Sequence, residues 1–300
     1  MAAIKESRGD RVFYTVNYIF LALILLIVAY PLIYIVACSF SNPQAVLSGK
    51  VWLWPVDPML QGYTTVFQDR DVMTGYANSI FYTVVGTVCA LVMTMLAAYP
   101  LSRKDYSLSR PVMLIFTFTM YFGGGLIPSY LLYSNMGLVN TRTIMILPGI
   151  LSVYNVIITR TFIQSSIPQS LHEAAELDGC SDFRYLVSIV VPLSKAVMAV
   201  IALYYAISYW NSYFMAMIYL YDRAKYPLQM FLREILIENQ MSAEMLSKGQ
   251  ISVEEAAARQ AIYELLKYSL IIVASVPVML FYPFIQKYFV KGVMIGGIKG

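Results

Sequence analysis

The sequence predicts an all-α membrane protein, a polytopic bundle of about six transmembrane helices. Its 300 residues are 59% hydrophobic and only 13% charged, which is too apolar for one soluble core. The apolar residues form about six runs of about 20 residues each, the length that crosses a hydrocarbon layer of about 30 Å at 1.5 Å per residue. These runs occupy residues 14–40, 75–101, 111–133, 143–163, 195–220 and 267–288.

The first run is predicted to be a span rather than a cleaved signal peptide. Its apolar stretch is longer than the roughly 7–15 residues of a signal h-region. It also contains Pro31, and no small-x-small cleavage site follows it. We therefore expect the first run to remain as a transmembrane helix.

Lysine and arginine positions predict that both termini are cytoplasmic. Basic residues in short segments beside spans stay on the cytoplasmic side. They precede the first run, separate the second from the third, and follow the last: Lys5, Arg8, Arg11, Arg103, Lys104, Arg110, Lys287, Lys291 and Lys299. With six spans, all three segments fall on one side of the membrane.

This orientation divides the chain into three predicted parts. A cytoplasmic N-terminus covers 1–13, a transmembrane domain covers 14–290, and a cytoplasmic tail covers 291–300. The domain includes two extracytoplasmic excursions at 41–74 and 221–266 and a cytoplasmic loop at 164–193. The stretch at 40–60, after the first run, is rich in Pro, Gly, Ser and Asn and is expected to be a loop, whereas the second excursion is expected to be largely helical.

Composition argues against chemistry within this chain. The three cysteines, Cys38, Cys89 and Cys180, have no CxxC or Cys/His spacing, and His172 is the single histidine. Phosphate-binding patterns GxxxxGK[ST] and GxGxxG are absent from the sequence, so ATP would have to be bound by another chain. We therefore predict no catalytic residue, no metal site and no enzyme activity of its own. The net charge of +4 reflects the lysine and arginine bias and does not indicate nucleic acid.

The cytoplasmic loop contains an acidic stretch, LHEAAELDGC, between two apolar runs. Ser170 and Glu173 have the spacing of a capping box, and Gly179 is placed to end a helix in the left-handed conformation. A helix this short is marginal in water and is expected to pack on a surface. A solvated loop remains the alternative on these features alone. The candidate contact residues are Glu173, Ala174, Ala175, Leu177, Asp178 and Gly179.

The loop resembles the EAA loop of binding-protein-dependent ABC importer permeases. That pattern is E-A-A, three residues, G, nine residues, and I-x-hydrophobic-P. The matching residues here are Glu173, Ala174, Ala175, Gly179, Ile189, Val191 and Pro192, with valine where leucine is usual. A second Glu-Ala-Ala begins at Glu255, but Ala261 stands where the glycine should be. We interpret that copy as an ordinary helix capped at Ser252.

Further blocks extend the resemblance from about residue 78 to the end. GGGLIPSYLLYSNMGLVNTRTIMILP, SYWNSYFMAMIYL and QKYFVKGVMIGGIKG are similar to carbohydrate-uptake permeases of the maltose-system type. The form YFGGGLIPSYLLY suggests the subgroup for complex or plant-derived oligosaccharides. This resemblance implies the type I ABC importer permease fold and a multi-pass location in the bacterial plasma (inner) membrane.

The resemblance also implies the partners. These are a second, non-identical permease, a pair of cytoplasmic ATPase subunits that bind ATP and Mg, an extracytoplasmic solute-binding lipoprotein, and an oligosaccharide substrate. It implies that Glu173 pairs with an ATPase arginine and that the tail at 292–300 reaches between the ATPases. The excursion at 41–74 is a candidate contact for the binding protein.

Residues at membrane depth that could contact a sugar are aromatic or carry neutral hydrogen-bonding groups. The candidates are Asn78, Tyr82, Asn155, Tyr205, Tyr209, Trp210 and Asn211. Packing and interfacial belts are the alternative role for each of them. The run Tyr209, Trp210 and Asn211 is favoured, because an asparagine in hydrocarbon needs a protein partner or a wet cavity.

Two other transport functions remain open from the sequence. An ABC permease for another solute class, such as peptides, would share the EAA loop. A secondary transporter is disfavoured, because ion coupling usually needs intramembrane carboxylates or histidines and the six runs nearly lack them.

Overall fold

A computed structural model of the protein describes residues 7–248 and 252–297, and every regular element in these ranges is helical. Lys5, Lys299 and the ends of the predicted N-terminal and C-terminal segments lie outside the described residues. The α-helices are α1 (Arg8–Ser39), α2 (Pro43–Leu47), α3 (Gln61–Gln68), α4 (Arg70–Ser102), α5 (Ser109–Tyr121), α6 (Leu126–Asn135), α7 (Val153–Ser166), α8 (Gln169–Leu177), α9 (Asp182–Tyr185), α10 (Val191–Leu193), α11 (Lys195–Trp210), α12 (Tyr213–Tyr219), α13 (Leu228–Ser247) and α14 (Val253–Gly297).

Within residues 7–248 and 252–297, three helices are long and apolar enough to cross a membrane unbroken. They are α1, α4 and the part of α14 from Val253 to Leu280. The most apolar window of α1 has a mean hydropathy of 2.9, and none of it is buried within the chain. A helix that is apolar on all faces and unburied needs lipid or another protein around it.

The other three candidate spans are pairs of helical segments that meet at an angle, and the third of these bends lies just before the predicted run at 195–220. α5 and α6 meet at 112°, the two 3₁₀ turns Thr143–Met145 and Leu147–Gly149 meet α7 at 49°, and the segment Asp182–Leu193 meets α11 at 83°. Counting each bent pair as one span gives six spans. The first bend falls in a run of three glycines, where Gly125 has φ 85°, a conformation that side chains disfavour.

Tertiary contacts divide the chain into two compact units, Met1–Asp69 with Glu234–Val273, and Arg70–Arg233 with Ala274–Gly300. In the first unit, the last turn of α1 packs with α2 in a cluster that includes Ala37, Cys38, Ala45, Val46 and Val51. Gly62 of α3 lies against Ser269 of α14 in the same unit.

In the second unit, α4 packs against α7 and α11. Gly86 leaves room for the ring of Tyr209, and Ala90 packs with Tyr205 and Tyr209. The Tyr205 and Thr94 hydroxyls lie 2.8 Å apart in a hydrogen bond. Small residues on α4 thus let two tyrosines of α11 approach its backbone closely.

The excursion at 221–266 is largely helical, as the sequence predicts. It contains a 3₁₀ turn at Arg223–Lys225, then α13 and the first turns of α14. The predicted cap at Ser252 is confirmed, because the Glu255 amide donates to the Ser252 hydroxyl at 3.1 Å.

Candidate coupling site

The acidic stretch of the loop at 164–193 folds as the short helix α8. The predicted capping box at Ser170 is wrong, because the helix begins earlier, with Pro168 as its N-cap and no side-chain cap bond. The fixed φ of proline suits this position, where φ is −63°. Ser170 therefore already lies inside the first turn and cannot cap it.

The C-terminal end of α8 is closed by a Schellman motif. Gly179 has φ 70°, so the predicted left-handed stop is confirmed. Its amide donates to the Glu176 carbonyl at 3.0 Å, and the Cys180 amide donates to the Ala175 carbonyl at 2.9 Å. These two bonds satisfy carbonyls that a helix end otherwise leaves to water.

The two faces of α8 have different roles. Ala175 and Cys180 pack on a buried cluster that includes Met95, Val156 and Val190. On the outer side, Glu173, Ala174, Asp178 and Gly179 are exposed, and Leu177 is 90% exposed. An exposed leucine beside a carboxylate is a surface that a partner protein can bind.

Charged and aromatic side chains connect this loop to the end of α4. The Tyr99 hydroxyl donates to Asp182 Oδ1 at 3.1 Å, and Arg103 Nη1 lies 3.5 Å from the same oxygen. His172 Nε2 lies 3.4 Å from it as well, and the His172 ring packs edge-on against Tyr185 with centroids 4.8 Å apart. Asp182 therefore joins α4, α8 and the connection after α4.

Arg103 also pairs with a residue of the connection that follows α4. Its guanidinium forms two hydrogen bonds with the Asp105 carboxylate. This contact lowers the pKa of Asp105 to about 2 and raises the pKa of Arg103, because each charge favours the other. Both groups are therefore ionised at neutral pH.

Helix α7 donates hydrogen bonds to the same end of α4. Arg160 Nε donates to the Leu101 carbonyl at 2.7 Å, and Gln164 Nε2 donates to the Ser102 carbonyl at 3.2 Å. These bonds satisfy carbonyls of the last turn of α4. A cleft of about 660 Å³ lies between this end of α4, α7 and α8, and Glu173 and His172 are among its lining residues.

Six of the seven candidate sugar-contacting residues lie on α4, α7 and α11 and are buried, and the seventh, Asn211, is the exposed C-cap of α11. Asn78 Nδ2 donates to the carbonyls of Ala224 at 2.9 Å and Tyr226 at 3.1 Å. The Tyr82 hydroxyl donates to the Lys225 carbonyl at 2.8 Å. These two side chains hold the 3₁₀ turn at Arg223–Lys225 against α4.

The remaining candidates also make contacts within the chain. Tyr205 accepts a hydrogen bond from the Ser152 amide at 3.0 Å, and the Tyr209 hydroxyl donates to the Ile146 carbonyl at 2.9 Å. The buried Asn155 lies in the first turn of α7, which Ser152 caps. Their place in a substrate path remains a prediction.

Trp210 and Asn211, the favoured pair, have different surroundings. Trp210 Nε1 donates to the Ala274 carbonyl at 3.0 Å, and its ring packs edge-on against Tyr76. It lines an apolar groove of about 400 Å³ between α4, α11 and α14. Asn211 is exposed, and its side chain donates to the Ile207 carbonyl one turn back, at 3.0 Å.

Sequence reasoning missed the residues behind α8. In the sequence, Arg103 serves as an orientation signal, and no motif or spacing marks Tyr99 or Asp182. Asp182 follows Arg103 by 79 positions, and no spacing rule links residues that far apart. An indirect signal was present, since an arginine next to the end of an apolar run often bonds to nearby acidic groups.

Comparison with known proteins agrees with this architecture. A family model described as "Binding-protein-dependent transport system inner membrane component" matches residues 1–295. The polygalacturonan/rhamnogalacturonan transport system permease protein YtcP of Bacillus subtilis is 39% identical over 97% of this chain and 99% of its own. The melibiose/raffinose/stachyose import permease protein MelC of the same species is 26% identical over 89% of this chain and 94% of its own.

A solved structure is similar along nearly the whole chain. It is a bacterial ABC transporter involved in the import of the acidic polysaccharide alginate. The match has a TM-score of 0.82 and 35% identity, and it covers 96% of this chain and 100% of the other. This chain therefore belongs to the binding-protein-dependent transport system inner membrane component family, the permease component of ABC importers, in which the ATPase is a separate subunit.

Proposed function

We propose that this chain is one of two non-identical permease subunits of an importer that carries an acidic oligosaccharide into the cytoplasm. Membership of the family implies ATPase and binding-protein partners. The ATP and Mg²⁺ are bound by the ATPase subunits, and the binding protein delivers the sugar from outside. Both termini and α8 face the cytoplasm in this proposal, in accord with the lysine and arginine placement.

The observation that carries the coupling role is the two-faced geometry of α8. Its outer face offers Glu173 and Leu177, and its inner face is bonded through His172 and Asp182 to the end of α4. An ATPase subunit that binds the outer face would move α8 as a rigid body. Because α4 is itself a candidate membrane span, a movement of α8 that shifts the end of α4 would change how the spans pack.

Alternating access needs two packings of similar free energy. ATP binding to the ATPase pair and docking of the loaded binding protein each favour one packing by binding it better. The glutamate at 173 supplies a charge for a cation on the ATPase, and Leu177 supplies apolar contact area. The tail at 292–300 is proposed to reach between the ATPase subunits.

The acidic nature of the sugar is inferred from the relatives. The permease at 39% identity is named for polygalacturonan and rhamnogalacturonan, and the transporter at 35% identity for the acidic polysaccharide alginate. MelC, named for neutral sugars, is 26% identical. Uptake of labelled oligogalacturonate by the reconstituted complex tests the proposal. Uptake of raffinose with none of oligogalacturonate would contradict it.

The coupling role is tested by reversing the charge of Glu173. Glu173→Lys places like charges together at the ATPase contact and should lower sugar uptake per ATP hydrolysed by about tenfold, equivalent to about 1.4 kcal/mol. The matched control is Glu255→Lys in the second Glu-Ala-Ala. Glu255 pairs only locally, with Arg259 at 2.7 Å, so coupling should be unchanged. The assignment fails if Glu255→Lys uncouples transport and Glu173→Lys does not.

Composition of the complex is tested by purification in mild detergent. The tagged chain should recover a different permease and an ATPase subunit in fixed ratio. Recovery of a second copy of this chain alone would argue for a homodimer. Recovery of neither partner would favour a transporter that works without ATPases.

A further inference from the structure

The loop after α1 carries exposed aromatic side chains that the coupling mechanism does not use. Trp52, Leu53 and Trp54 form a bend, and their side chains are 69%, 48% and 81% exposed. They include two of the three tryptophans in the chain. Large apolar side chains grouped in this way mark a contact surface.

Both ends of the bend are fixed to the last turn of α1. Before it, Val51 is buried in a cluster with Ala37 and Cys38. After it, the Val56 amide donates to the Ser41 hydroxyl at 3.0 Å. Four residues separate these two anchors, so at no more than about 3.6 Å per residue the bend reaches only about 10 Å from the end of α1.

At 1.5 Å per residue, the 32 residues of α1 are long enough to cross the hydrocarbon layer of about 30 Å and to reach past its edge. Between Arg11 and Lys50 the sequence has no charged residue. The side chains of α1 are exposed along its length, for example Leu25 at 66% and Val36 at 45%. A headgroup layer about 5–8 Å thick borders the hydrocarbon on each side, and a bend held within about 10 Å of this end can reach that layer.

We propose that Trp52, Leu53 and Trp54 form a membrane anchor whose partner is the interfacial layer of the bilayer. Their surface continues the exposed apolar surface of α1, because the bend is fixed close to its C-terminal end. An indole combines an apolar ring with one N–H donor and is favoured at this depth. Lys50 is exposed two residues before Trp52 and can pair with a lipid phosphate.

The anchor gives this excursion a role different from the binding-protein contact expected from the sequence. A bend inserted among headgroups is not available to a protein that approaches from the aqueous side. It would instead fix the depth and rotation of α1 in the bilayer. The proposal holds for either orientation of the chain, so it does not depend on the proposed function.

Site-specific photo-cross-linking identifies what covers the bend. In the complete transporter in its native membrane, Trp54 is replaced by the photoreactive amino acid p-benzoylphenylalanine. Leu25, in the middle of the apolar helix α1, serves as the comparison position within the bilayer, and Ser107, in the polar connection after α4, as the position that should not contact lipid. Irradiation is followed by mass spectrometry of the chain, with and without added binding protein.

The expected result is a phospholipid adduct at position 54, as at position 25, whether or not the binding protein is present. A cross-link to the binding protein or to the second permease, or no adduct at all, would overturn the anchor. The double variant Trp52→Ser/Trp54→Ser should keep the affinity for the loaded binding protein within about twofold. A loss of about tenfold would show that the bend is a docking surface for that protein instead.

Discussion

Gly179 is the residue on which the shape of the coupling helix depends most directly. A Cβ at this position would meet nothing within 4 Å, so a side chain there would act through backbone strain alone. Gly179→Ala should cost about 1–2 kcal/mol at the helix stop, and β-branched Gly179→Val more. We expect uptake per ATP hydrolysed to fall more for valine than for alanine.

Gly137 provides the matched control for Gly179. It also has positive φ, 67°, and open space around it, but it lies after α6 rather than in the coupling loop. Gly137→Val should lower the thermal stability of the complex and leave uptake per ATP unchanged. Equal loss of coupling in Gly137→Val and Gly179→Val would mean that general strain, and not the stop of α8, is responsible.

Two asparagines among the candidate sugar contacts should behave in opposite ways. Asn78→Ala leaves the carbonyls of Ala224 and Tyr226 without their donor and should cost about 1–3 kcal/mol of stability. Asn211→Ala removes only a bond to Ile207 one turn back and should leave the melting temperature unchanged. Thermal unfolding in detergent, paired with uptake assays, measures both effects.

The sugar-path role of each asparagine is judged from the same pair of measurements. Reduced uptake at an unchanged melting temperature for Asn211→Ala would support a place in the path. Unchanged uptake would remove Asn211 from it. A stable Asn78→Ala variant that fails to transport would mean that Asn78 contacts substrate in addition to holding the 3₁₀ turn.

At the scale of elements, the link between α8 and α4 should carry the force from the ATPase. Arg103→Ala removes the cation that lies between Asp105 and Asp182, while the backbone bonds that close α8 remain. We expect ATP hydrolysis to continue and uptake per ATP to fall by up to about fivefold, since an ion pair with exposed carboxylates contributes up to about 1 kcal/mol.

The control for this link is Arg110→Ala, which removes an exposed positive charge from the start of α5. It should leave coupling unchanged. Asp182→Ala should resemble Arg103→Ala, and the double variant should be no worse than either, because the two residues act through one contact. Additive losses would contradict a shared link.

At the scale of the whole molecule, six spans require that alternate connections lie on opposite sides of the membrane. Met136, which is 56% exposed after α6, and Ser107, exposed after α4, are suitable positions. Met136→Cys should react with a membrane-impermeant maleimide from outside the cell, and Ser107→Cys only after permeabilisation. Labelling of both from one side would contradict the six-span topology.

Local chemistry determined much of this protein from its sequence alone. Run lengths predicted the membrane helices, because an apolar helix must match the thickness of the hydrocarbon. The EAA spacing indicated the family, and Gly179 marked the end of α8, since a left-handed helix stop favours glycine. The cap of α14 at Ser252 was predictable for the same reason, because it depends on residues three positions apart.

Only the tertiary structure decided where distant segments meet. It bent the runs at 111–133 and 143–163, started α8 at Gln169 rather than after Ser170, and assigned Asn78 to a turn about 146 residues away. It also brought Asp182 to Arg103 and fixed the Trp52–Trp54 bend to the end of α1. Such contacts depend on the packing of whole helices, and the residue pattern within one segment does not show which distant segments it contacts.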